Sequence, residues 1–347
     1  MRMDPAPRPA RPVSRRRILL GTVAAAVAST AGSASLSGCD DTRTVPQPVD
    51  APRTSRSPRP VTGPVLERHI RLSWLPADYR VTGFGIDTNH EWVTGEAASN
   101  SRFTLQAEVY RPGVTPAWDD DHRDPWVVAT GNDRVGGRTT RWAGRGGLGL
   151  RSSTVCLNWQ HTSGGQGVVT FTGAGPDNVA TAGRIAAGLR LDRAEPVRLP
   201  VALRDVPAVL RLRGMDAYDP GTEDQFLYRL RYAPGPLPVD STVEHPVLEI
   251  QASPMSFAEQ ILMSDPGVGS NTTMEGHPAR RTTQAGSGGG YRDQLMLWEV
   301  NGLKLVITVT GQRIRDLLGA DAARGVFRQL AVYQQRVDWV PAPRLDT

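Results

Sequence analysis

Two tryptophans, Trp159 and Trp298, each stand 22 residues after a turn glycine, Gly137 in Val135-Gly136-Gly137 and Gly276 in Met274-Glu275-Gly276. The equal spacing belongs to a longer correspondence between two stretches of the chain. Leu72-Ser73-Trp74-Leu75-Pro76-Ala77-Asp78-Tyr79-Arg80-Val81 aligns with Leu203-Arg204-Asp205-Val206-Pro207-Ala208-Val209-Leu210-Arg211-Leu212. The run from Phe103 to Tyr110-Arg111-Pro112-Gly113 answers the run from Phe226 to Tyr232-Ala233-Pro234-Gly235, each an alternating strand pattern closed by Pro and Gly. Internal self-similarity means that one supersecondary plan is used twice. The chain is therefore expected to divide into 65–192 and 193–347, two tandem repeats. The join from Arg193 to Pro200 is too short and too apolar for a free linker, so the halves are expected to pack together.

Within each half the periodicities say sheet first and helix last. After each Trp comes a hairpin-like segment, 164–173 in one half and 301–311 in the other, and Asn301-Gly302 is a strong turn signal between alternating strands. Asp177 can then cap a helix that puts Val179, Ala182, Ile185, Ala186 and Leu189 on one face. The counterpart carries Ile314, Leu317 and Leu318, then Val326, Phe327 and Leu330. The fold class is α+β: two tandem domains, each an antiparallel twisted sheet with a helix packed on one face.

The first 38 residues hold six arginines and one acid, so the overall +5 charge vanishes once they are removed. A neutral chain lacks the basic footprint of nucleic-acid binding, which excludes that class of partner. Ser14-Arg15-Arg16-Arg17-Ile18-Leu19-Leu20 resembles a twin-arginine export signal, with Arg15 and Arg16 as the pair, and a short, mild apolar run follows. Leu36-Ser37-Gly38-Cys39 resembles a lipobox, whose Cys takes a diacylglycerol and anchors the mature protein. Residues 39–64, with six prolines and almost no large apolar side chain, read as a disordered tether. Extended at ~3.1 Å per residue it reaches up to roughly 80 Å. Cys156 has no partner once Cys39 is acylated and reads as a buried thiol. A single lysine among 40 basic residues fits a high-GC genome such as an actinobacterium's.

Leu75-Pro76-Ala77-Asp78-Tyr79, Gly137, Leu157-Asn158-Trp159, Gly173 and the helix ending at Leu189 together resemble a family of bacterial extracytoplasmic domains. In outline the order is also similar to PsbP/Mog1-like domains, including mycobacterial lipoproteins of that type. The second half has Val206-Pro207-Ala208-Val209-Leu210 in place of the tyrosine-bearing motif, and the first half inserts Val114 to Asp124. The resemblance implies an antiparallel sheet covered by helices and carries no catalytic residue over.

Candidate chemistry is sparse. Asp119-Asp120-Asp121-His122-Arg123-Asp124 could attract a divalent cation, but consecutive aspartates on an extended chain alternate direction and Arg123 competes, so it reads as a solvated loop. The glycines of 144–149 satisfy the dinucleotide pattern without a following helix, and the six histidines are scattered singly. No G-x-S-x-G, S-x-x-K or H-E-x-x-H occurs. No catalytic residue, metal or cofactor is expected. Trp74, Trp159 and Trp298 read as core, whereas Trp92, Trp118, Trp126, Trp142 and Trp339 lie in or beside loops and read as an exposed contact surface.

The expected role is a non-catalytic binding module on the outer face of the cytoplasmic membrane, engaging a protein, glycan or cell-wall partner. The alternative is a carrier or sensor that holds an apolar ligand between sheet and helix. Replacing the anchor, Cys39→Ser, should move the protein from the membrane fraction to the soluble fraction; retention without acylation would refute the lipobox.

Overall fold

The computed structural model describes residues 65–345 apart from 117–128, 147–152, 162, 174–176, 193, 206, 238–245, 258–270 and 286–289. Cys39, Arg15 and Arg16 lie outside the described residues, as do Trp118 and Trp126. Alternating apolar and polar positions make long strands: β1 (Tyr79–Asp87), β2 (His90–Ala97), β3 (Asn100–Tyr110), β4 (Ala129–Val135), β5 (Arg138–Gly146), β6 (Ser153–Gln160) and β7 (Gln166–Gly173). Helix α1 (Asn178–Gly188) follows. The second half supplies β8 (Arg211–Tyr218), β9 (Leu227–Ala233), β10 (Val247–Pro254), β11 (Thr272–Met274), β12 (His277–Ala285), β13 (Tyr291–Val300) and β14 (Leu303–Thr310). Two short helices, α2 (Gln312–Leu318) and α3 (Ala322–Gln329), close it.

All fourteen strands form one antiparallel sheet in the order β11-β12-β13-β14-β10-β9-β8-β1-β2-β3-β7-β6-β5-β4. Read outward from its middle, each half runs first, second, third, seventh, sixth, fifth, fourth strand. The halves meet where β8 pairs with β1, from Gly214↔Asp87 to Tyr218↔Gly83. The expectation of a sheet for each domain is thus corrected to one continuous sheet. The reason is the edge: β1 and β8 would each present unpaired N–H and C=O groups, and pairing them satisfies both.

Turn chemistry fixes the register. Gly136 and Gly137 (φ 55° and 78°), Glu275 and Gly276 (52° and 85°) and Asn301 and Gly302 (49° and 74°) form two-residue hairpins with both central residues left-handed, the twist that matches flanking strands. The first two hairpins join corresponding strands, yet their tryptophans do not correspond. Thr140 faces Trp159, while Ala279, at the same distance from its turn, faces Leu297. Trp298 is one residue out of phase, which in a strand puts it on the other face. There it is half-buried, with the Lys304 ammonium 5.0 Å from its ring, and not in the core as expected. A second expected match also shifts. Phe226 to Ala233 runs into β9, beside β8, and corresponds in order to β2; β10 is the counterpart of β3. Period-two alternation carries no strand identity, so one hairpin strand passes for its neighbour.

One face of the sheet is closed. Leu157, Val169 and Phe171 pack under Ala182, Ile185 and Ala186 of α1, and Leu295, Leu305 and Ile307 lie under Ile314, Ala323 and Val326 of the second half, all in one contiguous apolar cluster. Between the helices the same face is covered by short ladders. Glu195–Pro196 pairs with Glu67–Arg68 and Arg198–Leu199 with Val340–Pro341, burying Val197 and Leu199, so the join packs as its apolar character implies. Among the described residues no helix is long and apolar enough to cross a membrane.

The closures of the two halves share backbone detail. Ser73 N–H donates to Gly188 O and Arg204 N–H to Gln329 O; Tyr79 N–H donates to Pro76 O and Leu210 N–H to Pro207 O. Leu189 pairs with Leu72 as Leu330 pairs with Leu203. A continuous sheet with one core should unfold in one cooperative step. Met215 is fully buried at the β1–β8 seam, opposite Ile86, and Met215→Ala should cost about 2–5 kcal/mol. Chemical denaturation followed by tryptophan fluorescence and circular dichroism should give coincident transitions; two separated transitions would contradict a shared core.

Candidate functional site

The open face of the sheet carries its polar side chains in rows across the strands. At its centre lie Asp87 of β1, His90 and Trp92 of β2, and Glu108 and Tyr110 of β3. The His90 ring is stacked between Trp92 and Tyr110, with centroids 4.6 Å away on either side. Its Nδ1 faces Asp87 Oδ1 at 3.1 Å and its Nε2 faces Glu108 Oε2 at 3.7 Å. Tyr110 donates its hydroxyl to Glu108 Oε2 at 2.6 Å. Gly85 makes the stack possible: a Cβ there would fall inside the Trp92 ring. Burial works to raise the Asp87 pKa, but the His90 hydrogen bond and charge and the backbone N–H groups of Asn89 and His90 outweigh it and hold the carboxyl below its ordinary value.

Across the seam the rows continue into an ion-pair network. Asp216 of β8 takes Arg229 at 3.3 Å and Arg231 at 3.1 Å, both from β9, and Arg229 reaches Glu249 of β10 at 3.7 Å. The Asp216 charge raises the Arg229 pKa against the opposing effect of burial, with Glu249 helping. Acids and bases answer one another within the face, so this array rigidifies the seam rather than offering an unmet charge.

The other expected candidates disperse. Trp92 is half-buried on the open face, whereas half-buried Trp142 sits on the helix-covered face with its ring over Gly131. These two cannot form one surface. Trp339 is buried, packed edge-on against Phe226 at 4.9 Å and Tyr228 at 5.2 Å, because the C-terminal segment folds back over the closed face. Asp119 to Asp124 lies outside the described residues. Cys156 is buried on the open face beside Tyr110 and Val168. His161 has Ser163 Oγ 3.0 Å from its Nδ1, but that nitrogen also accepts the Ser163 backbone N–H, and burial, then Arg138, lower its pKa. The pair shapes the β6–β7 turn and has no carboxylate orienting it among the described residues. No cluster of three or more metal-ligating side chains occurs among the described residues.

A concavity that the sequence did not reveal lies on the helix side of the second half. The segment that leads into β8 runs past α2 and α3 and leaves an open groove of about 440 Å³. It is lined by exposed Arg204 and Asp205, by Pro207, Leu317 and Leu318, and by Gly325, Val326 and Gln329 of α3. Leu317 keeps 37% of its surface exposed. Amphipathic spacing predicts Leu317 on the buried face, but Ile314 alone is buried in α2, which stops at Leu318 with Gly319 at positive φ.

No family model and no curated protein matches the chain. Solved structures that align with it include a crystal structure of MucB in complex with MucA(peri) and the Pseudomonas aeruginosa MucA/MucB complex. Each covers 74% of this chain and 93% of the matched chain at 13% identity and a TM-score of 0.23, a likeness too slight to transfer a fold, a partner or a role.

The lowered Asp87 pKa has a consequence for acid stability. Ionisation favours the folded state, so this contribution is present above about pH 4 and is lost as pH falls through the lower folded value. Asp87→Asn should lower stability at pH 7 by about 1–3 kcal/mol and flatten the acid limb of the stability–pH curve. An unchanged limb, measured by denaturation from pH 7 to pH 3, would show that the Asp87 contacts do not form.

Proposed function

We propose that the protein is a lipid-anchored extracytoplasmic binding module, non-catalytic, that engages a protein or cell-envelope partner through its surface. In this reading Arg15 and Arg16 direct export, Cys39 carries the acyl anchor at the outer face of the cytoplasmic membrane, and residues 39–64 set the reach. The halves, 65–192 and 193–347, are two copies of one domain plan, similar to PsbP/Mog1-like domains. Their shared strand order and closing hydrogen bonds support the duplication.

The observation that carries the reading is the contrast between a filled interior and an open groove. A carrier of an apolar ligand needs enclosed volume between sheet and helix. Beneath α1 and α3 that space is taken by Ile185, Ala182, Val326 and Ala323, each at most 1% exposed, packed on Leu157 and Leu305. The groove by contrast opens to solvent and is lined by charged and polar groups together with apolar side chains, a mixture suited to recognition. The balanced ion pairs of the open face and the neutral mature chain point to contact by shape and hydrogen bonding rather than by bulk charge.

The test is site-specific photo-cross-linking of the full-length protein in its own host. p-Benzoylphenylalanine at position 317, in the groove wall, should give a discrete protein or glycan adduct, and the same probe at position 292, exposed on the opposite face, should not. A chain that cross-links at neither position and carries a small molecule of defined mass in native mass spectrometry would instead be a carrier.

A further inference from the structure

The groove of the second half has a filled counterpart in the first. Hydrogen bonds and strand register superpose the closures residue by residue: Ser73 on Arg204, Pro76 on Pro207, Gly188 on Gln329 and Leu189 on Leu330. That register places Trp74 on Asp205, Ile185 on Val326 and Arg184 on Gly325. In the first half Trp74 lies half-buried against the apolar core at the base of α1, and the Arg184 guanidinium covers its ring, 4.0 Å from the centroid. In the second half neither side chain exists. An acid replaces the indole, a glycine replaces the arginine, and the space they fill in the first half is open groove.

Nothing steric demands glycine at 325. It sits within helix α3 at an ordinary φ, and a Cβ built there meets no atom within 4 Å. Glycine inside a helix is costly relative to alanine, and its presence leaves the wall where Arg184 stands in the other half bare. Asp205 is exposed and has no hydrogen-bond or ion-pair partner among the described residues. A vacancy where the first half holds an aromatic ring and a cation, with Asp205 unpaired among the described residues and Arg204 beside it, complements an aromatic side chain whose basic neighbour reaches the carboxylate.

We infer that this groove is the docking pocket for a protein partner that inserts a tryptophan flanked by an arginine or lysine, supplying in trans the pair that Trp74 and Arg184 supply in cis. The inference rests on the reading of the protein as a binding module and names the site and the chemistry of its partner. The indole lies between Pro207 and Leu318 over Gly325, and the partner's cation covers it and meets Asp205.

The experiment uses the mature chain from Cys39 and a capped peptide, Gly-Ser-Trp-Arg-Gly, titrated by amide NMR. The peptide should saturably shift the Leu317, Leu318, Gly325 and Gln329 amides, and its Gly-Ser-Ala-Arg-Gly analogue should bind at least tenfold more weakly. The double variant Asp205→Trp/Gly325→Arg rebuilds the filler of the first half. It should keep a dispersed spectrum and lose the peptide by at least tenfold. Should that variant not fold, Leu317→Arg, at an exposed wall position, should weaken the peptide likewise. No saturable shift in the natural sequence, or undiminished binding by a folded filled variant, would overturn the inference. Indole-3-propionamide binding as tightly as the peptide would overturn the partner class in favour of a free aromatic ligand. An adduct at position 317 that survives the filled variant would reject the proposed occupant while leaving the binding module standing. Absence of any adduct at that position in the natural sequence would reject the module itself.

Discussion

Five residue pairs between β1 and β8 decide the architecture. Antiparallel pairing there joins two seven-stranded halves into one sheet, removes two edges that would otherwise template aggregation, and lets a single apolar cluster run under every covering element. The pairing is reinforced on both faces. On the closed side Ile86 faces Met215 and Phe84 faces Ala217; on the open side Gly85 faces Asp216, leaving room for Trp92 to lie flat beside the ion pairs of Arg229 and Arg231. Gly83 and Gly214 allow the close approach at the seam, where a Cβ would meet Ala217 O and Asp87 Cβ respectively.

Much of this was legible in the sequence because periodicity and turn chemistry are local. The strand-rich order, the Asn301-Gly302 hairpin and the buried stripe Ala182, Ile185, Ala186 and Leu189 follow from patterns within a dozen residues. The single sheet was not legible. Pairing of β1 with β8 joins residues some 130 positions apart, and nothing in either strand distinguishes a central seam from an outer edge. Equal counting also misled at Trp298, where 22 residues from the turn lands one position out of phase and hence on the wrong face.

Tryptophans were the weakest guide to the site. Trp339 falls near the chain end and looks exposed, but the C-terminal segment folds back as a short ladder and drives its indole against Phe226 and Tyr228. Trp92 and Trp142 belong to opposite faces. The groove announces itself in sequence only as differences between aligned positions, Trp74 against Asp205 and Arg184 against Gly325. The second pair needs the helix register that structure alone provides. A comparison of halves therefore finds a candidate surface where a scan for motifs does not: shared positions hold the fold, and two that differ line the groove.

The central claim is the continuity of the sheet through its seam, since the packed closed face and the placement of the groove both follow from it. Native-state hydrogen exchange on the protein measures it most directly. The amides paired between β1 and β8 should exchange only through global unfolding, with the same protection free energy as those of β14 in the heart of the second half. Fast or independently opening exchange at the seam, with β14 still protected, would mean that the halves are separate bodies and would contradict the account.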